Sequence, residues 1–119
     1  MNAYINAYKK IAEETIGLKL IVATYFGGLR ENINTVINLP IHTLHIDLVR
    51  DEKALENVLP LLPSELNISL GIVDGRNIWK NDFDSSLQLI QKALEILGNN
   101  RLWIAPSCSL LHVPCDLDL

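Results

Sequence analysis

Apolar positions along this chain switch repeatedly between a helical and a strand period. Residues 3–15 carry Ile5, Tyr8, Ile11 and Ala12 at helical spacing, with Gly17 just past the end. Residues 18–24 then form an apolar run of strand length. Residues 30–38 place Ile33, Val36 and Ile37 on one helical face, and Pro40 stops that helix. Residues 43–49 give the second strand. Asp51 is placed to cap a third helix whose inner face is Leu55, Val58, Leu59 and Leu62, with Pro60 late in it and Pro63 beyond its end. Residues 68–73 are the third strand. The clearest helix has Asp84 or Ser85 as cap, then Leu87, Ile90, Ala93, Leu94 and Leu97, and Gly98 as terminator. Residues 102–105 are the fourth strand.

The predicted order is therefore α-β-α-β-α-β-α-β. Consecutive strand–helix–strand units joined by short loops imply a parallel sheet with right-handed crossovers. The strands are expected to be apolar on both faces, as strands covered by helices are. No linker or low-complexity tract divides residues 1–119, which form a single, partial domain. After Ala105 no covering helix is predicted for the last strand. A closed βα barrel has eight strands, and this chain supplies four. The fold class is α/β, with parallel strands alternating with helices, as half of a (βα)8 TIM-type barrel. Open edges on such a half favour pairing with another copy or with further chain.

Composition narrows the function classes. The chain has 119 residues, 49% of them hydrophobic and 20% charged, with a net charge of −4. Its Lys and Arg are scattered, so nucleic acid is not an expected partner. No apolar run approaches the roughly 18 residues of a membrane span. The start, Met-Asn-Ala-Tyr, has no signal-peptide pattern, which makes a cytoplasmic location the default. Cys108 and Cys115 are then expected to be free thiols rather than a disulfide.

Candidate chemistry gathers where strands end. Thr24-Tyr25-Phe26-Gly27, His45-Ile46-Asp47, Asp74-Gly75-Arg76-Asn77 and Pro106-Ser107-Cys108 all follow predicted strands, and α/β folds build sites at carboxyl strand ends. Cys108, His112 and Cys115 are good zinc ligand types, but their spacing is wrong for a knuckle and a fourth ligand is missing. Cys108 with His45 or His112 makes a nucleophile–base pair only if the fold brings them together. Gly71 and Gly75 straddle a strand end and do not form a phosphate loop. Asp74-Gly75 suits a tight turn that lifts Arg76, Asn77 and Trp79 over the sheet mouth. Arg76 has Asp74 and Asp47 as candidate ion-pair partners, against a ligand-contacting role for Asp47, Asp74, Arg76 and Asn77.

Several runs closely resemble the cobalamin-independent methionine synthases. They are Thr24-Tyr25-Phe26-Gly27, residues 44–50 (LHIDLVR), residues 71–79 (GIVDGRNIW) and residues 102–112 (LWIAPSCSLLH). The resemblance implies the second half of the amino-terminal barrel of a two-barrel enzyme. That family transfers a methyl group from a polyglutamylated methyltetrahydrofolate to homocysteine, and its zinc lies in the carboxyl-terminal barrel. Treating the barrels as a duplication puts Cys108 and Asp47 on former zinc-ligand positions. Ala23 and Tyr25 replace the other two ligands, and Arg76 replaces a catalytic His. Lys9, Lys10 and Lys19 do not match the family's folate-tail residues.

The resemblance thus implies no catalytic residue, no metal and no cofactor within this chain, with zinc in the full enzyme. It implies the catalytic barrel of a longer polypeptide as partner, and homocysteine and methyltetrahydrofolate only through that enzyme. The 119 residues alone are then expected to be inactive. The competing reading is a free-standing interaction protein derived from the family, closing its half-barrel by homodimerisation.

Overall fold

A computed structural model describes residues 2–114. The elements are α1 (Asn2–Glu14), β1 (Ile21–Ala23), α2 (Ile33–Ile37), β2 (Thr43–Asp47), α3 (Ala54–Val58), β3 (Asn67–Val73), α4 (Phe83–Leu97) and β4 (Leu102–Pro106). Short 3-10 turns flank α2, α3 and β4. Cys115 lies outside the described residues, and so does the side chain of His112.

All three strand pairings are parallel, and the spatial order is β1-β2-β3-β4. Each crossover therefore moves one strand further in the same direction. Right-handed crossovers of that kind put every connecting helix on one face. This is the winding of a βα barrel, in contrast to a doubly wound sheet that reverses direction. The α/β half-barrel expected from the sequence is the fold found.

The helix-side face holds the core. Leu44, Ile46, Ile68, Leu70 and Ile72 alternate along β2 and β3 and cluster with Val36, Leu55, Val58 and Ala93. Burying an aliphatic side chain of this size contributes roughly 1.5–3 kcal/mol. The other face is not apolar, contrary to the expectation for both faces. Its buried positions on the central strands are Thr43, His45, Asp47 and Ser69, with Thr43 opposite Asn67, His45 opposite Ser69 and Asp47 opposite Gly71. A polar layer is tolerated there because each group has a partner: Thr43 the neighbouring His42, His45 Ser69 across the strands, and Asp47 the backbone of Phe26, Val49 and Arg50.

Several boundaries differ from the sequence pattern. β1 is shorter than residues 18–24, although Leu20 still accepts bonds from His42 N and Thr43 N. β2 stops at Asp47 rather than Val49. The Asp47 carboxylate accepts from Val49 N and Arg50 N and folds the chain into a turn. Asp51 does not cap α3; Lys53 precedes that helix without a side-chain cap bond. Nor is α4 capped by Asp84 or Ser85. Asp82 is the extended residue at that point, and its carboxylate accepts from Asp84 N and Ser85 N. Gly98 ends α4 with a positive φ, as the terminator position requires.

The edges are exposed. Ile21 on β1 and Ile104 on β4 are 51% and 59% accessible. Trp103 lies at the β4 edge on the polar-layer face, near His42.

Candidate functional site at the carboxyl strand ends

The four strand ends do converge. A bulge between Gly71 and Val73 shifts the end of β3 against β4, and Ser107 N donates to Val73 O at 2.7 Å. Asp74 then closes an Asx turn. Its Oδ1 accepts from Arg76 N at 2.9 Å and its Oδ2 from Asn77 Nδ2 at 2.8 Å. Asn77 continues the pattern by accepting from Trp79 N. The tight turn expected at Asp74-Gly75 is present, and Gly75 serves it by allowing close approach. A Cβ there would lie 2.8 Å from Cys108 O and 3.0 Å from Cys108 Sγ.

Arg76 reaches back over the mouth. Its Nη2 lies 3.8 Å from Asp47 Oδ2, an ion pair longer than a hydrogen bond. Of the two candidate carboxylates, Asp47 faces the guanidinium and Asp74 holds the backbone beneath it. Phe26 covers the other side, with its ring centroid 4.3 Å from Arg76 Cζ. Phe26 N donates to the same Asp47 Oδ2 at 3.0 Å. Asp47 thus has both oxygens engaged by backbone donors, Oδ1 by Val49 and Arg50 and Oδ2 by Phe26.

His45 lies one layer below. Its Nδ1 is 3.0 Å from Ser69 Oγ and its Nε2 is 3.2 Å from Ser107 O. A carbonyl only accepts, so Nε2 carries a proton and donates to Ser107 O. His45 O accepts from Thr24 Oγ1 at 2.8 Å. One residue of β2 therefore ties together all four strands. Ser107 passes the constraint on, because its Oγ accepts from Gly75 N at 3.2 Å.

His45 is engaged with Ser69 and Ser107, and the structure gives it no bond to Cys108. The Cys108 thiol is half-buried and directed at Ser109 O, 3.7 Å away. Among the described residues no three His, Cys, Asp or Glu side chains converge as metal ligands. The positions that the family resemblance sets against zinc ligands do not fit the metal. A guanidinium stands beside Asp47, whose oxygens are occupied, and Ala23 and Tyr25 supply no ligand of the needed kind. A groove of about 230 Å³ runs alongside, walled by Asp74, Asn77, Trp79 and Ser86, with Arg76 outside its lining.

Asp47, Asp74, Arg76 and Asn77, the candidates named from the sequence, lie together at these strand ends; buried Ser69 was not among the candidates, and buried Ser107 was named only as part of the fourth strand end. Nor was Phe26 singled out as the cover of Arg76. Ser107 had a usable signal in its place directly after an apolar strand.

The chain matches the family model described as "Cobalamin-independent synthase, N-terminal domain" over residues 1–98. It is 51% identical over 120 residues to the 5-methyltetrahydropteroyltriglutamate–homocysteine methyltransferase of Flavobacterium johnsoniae, covering 99% of this chain and 16% of that protein. It is 48% identical over 113 residues to the protein of that name from Salinibacter ruber, covering 94% of this chain and 15% of the relative. The chain thus spans about 15–16% of the length of these curated relatives. Among solved structures it resembles a putative vitamin-B12-independent methionine synthase from Listeria monocytogenes. The TM-score is 0.66 at 17% identity, over 91% of this chain and 34% of that one, which is a likeness of fold. With the model matched over most of its length, the chain belongs to the family of cobalamin-independent synthase amino-terminal domains.

Proposed function

We propose that this chain is a structural part of the amino-terminal domain of a methyltransferase that makes methionine from homocysteine and a methyltetrahydrofolate polyglutamate. The observation that carries the reading is the 51% identity, along essentially the whole chain, to a methyltransferase named for those two substrates. In this reading the chain holds no catalytic residue and no cofactor. The zinc-dependent chemistry belongs to a catalytic barrel elsewhere in a longer polypeptide, and a cytoplasmic location goes with it. Asp47, Asp74, Arg76 and Asn77 act as braces for the strand-end loops, and Cys108 and Asp47 are the remnants of a duplicated metal site. Support comes from where the hydrogen bonds go: the carboxylates hold backbone N–H groups of their own loops. The exposed residues Tyr25, Ile78, Trp79 and Leu111 in the loops after β1, β3 and β4 give the domain an apolar surface to bury against its partner.

The test is a chimera. This chain replaces the matching 120 residues of the Flavobacterium johnsoniae methyltransferase. The chimera is expected to form methionine, while the isolated 119-residue chain forms none. Turnover by the isolated chain, or a folded but inactive chimera, would overturn the reading. The exposed edge residues Ile21 and Ile104 favour a second reading, a homodimer that closes the half-barrel. Sedimentation of the isolated chain as a monomer at micromolar concentration removes it.

A further inference from the structure

Of the six glycines in the chain, only Gly75 follows an Asp or an Asn. An Asp-Gly pair is open to a reaction of its own backbone, because glycine has no side chain to shield its nitrogen or restrict its approach. The Gly75 nitrogen attacks Asp74 Cγ and a new N–Cγ bond forms. The amide proton and the carboxyl's hydroxyl leave as water, and a five-membered imide closes. Water then adds to the imide. Where it breaks the bond between that nitrogen and the Asp74 backbone carbonyl carbon, the chain runs on through the former side-chain carbonyl as an isoaspartate. The water lost is regained, so composition is unchanged and nothing is oxidised or reduced.

For this to happen, Gly75 N must give its proton to a base and the Asp74 carboxyl must turn to meet that nitrogen. The fold withholds both. Gly75 is buried, and its N–H donates at 3.2 Å to Ser107 Oγ, a hydroxyl that accepts the bond without taking the proton. Asp74 Oδ1 is held by Arg76 N at 2.9 Å and Oδ2 by Asn77 Nδ2 at 2.8 Å. The product has no room either. A single Cβ on Gly75 would lie 2.8 Å from Cys108 O and 3.2 Å from Ser109 O, and isoaspartate inserts a whole carbon into the main chain beside it.

We propose that Asp74–Gly75 is a spontaneous modification site, silent while the turn is closed and reactive when the turn opens locally. Ser107 and Asn77 are its restraints. The fraction that reacts is the open fraction, as for any reaction confined to a locally unfolded state. Once isoaspartate forms, the carboxylate that held Arg76 N and Asn77 Nδ2 is displaced. The loop that carries Arg76 over the mouth then cannot reclose as before, and a transient opening becomes permanent.

The test is the rate of isoaspartate formation at residue 74, followed by peptide mapping in neutral buffer. A synthetic peptide of residues 71–79 gives the unrestrained rate. The 119-residue chain is expected to react at least roughly ten-fold more slowly than this peptide. Asn77→Ala and Ser107→Ala each remove one restraint and should raise the rate in the chain by roughly three- to thirty-fold. Asn77→Ala in the peptide should leave its rate nearly unchanged. Ser107 is buried and its variant can lose the whole fold, so Asn77→Ala decides, with protected amides in β2 and β3 showing that the sheet is intact. A wild-type chain that reacts as fast as the peptide overturns the proposal. So does an Asn77→Ala chain that reacts at the wild-type rate, or an equal acceleration by Asn77→Ala in the peptide.

Discussion

Gly71 and Ser107 touch backbone to backbone. A Cβ on Gly71 would sit 2.8 Å from Ser107 Cα, 2.8 Å from Ile46 O and 2.9 Å from His45 Cε1. None of these atoms is the free end of a flexible side chain. Gly71→Ala should therefore force β3 and β4 apart and destabilise the fold by about 1–3 kcal/mol. Gly28 gives the contrast. A Cβ there meets the carboxylate of Asp51, which can swing away into solvent. Gly28→Ala should stay within about 0.5 kcal/mol of wild type. Urea unfolding of the two variants checks the pair, and similar midpoints would contradict it.

His45 is the second test of the polar layer. Its ring satisfies Ser69 Oγ and Ser107 O inside a region closed to water. His45→Leu preserves bulk and strands both partners, at a cost of about 1–3 kcal/mol each. Ser69→Ala removes one hydroxyl and leaves Nδ1 unpartnered, a smaller loss of about 1–2 kcal/mol. Loss on His45→Leu should also reach Gly75, because Ser107 Oγ holds Gly75 N. The amide of Gly75 is expected to exchange faster in that variant. If stability falls while Gly75 keeps its protection, the relay from β2 to the Asp74 turn is absent.

The half-barrel was legible because it rests on local periods. α1 and α4 follow the 3.6-residue pattern, short apolar runs mark the strands between them, and Gly17 and Gly98 both adopt positive φ at helix ends. What was not legible depends on long-range pairing. His45 and Ser69 were not read as a buried polar layer, because the strands were expected to be apolar on both faces; only the register of β2, β3 and β4 brings these two together. The ion pair shows the same limit. Asp47 and Asp74 are equally plausible partners of Arg76 in sequence, and the turn at Asp74 decides by consuming its carboxylate locally. Helix caps fail for a related reason. Asp82, Asp84 and Ser85 are all good cap residues. The choice falls to whichever one is extended when the helix begins.

Asp82 also makes stability depend on pH. It accepts from Ser85 N at 3.2 Å, Asp84 N at 3.1 Å and Ser85 Oγ at 2.8 Å. These bonds, led by the backbone N–H of Ser85, hold its carboxyl below the ordinary value of 3.8. A carboxyl lowered in the folded state contributes stability that is fully present above its unfolded value. That contribution is lost as pH falls through the folded value. Asp82→Ala should therefore melt earlier than wild type at neutral pH, with the gap narrowing as the solution is taken below the unfolded value. Asp82→Asn keeps an acceptor oxygen for the same N–H groups without the titrating charge. It should melt below wild type at neutral pH, by less than Asp82→Ala, and converge on wild type as acid removes the charge there too. Thermal melts of the three proteins from pH 7 down into the acid range separate the cases. If Asp82→Ala loses as much in acid as at neutrality, the charge is not what makes this cap work.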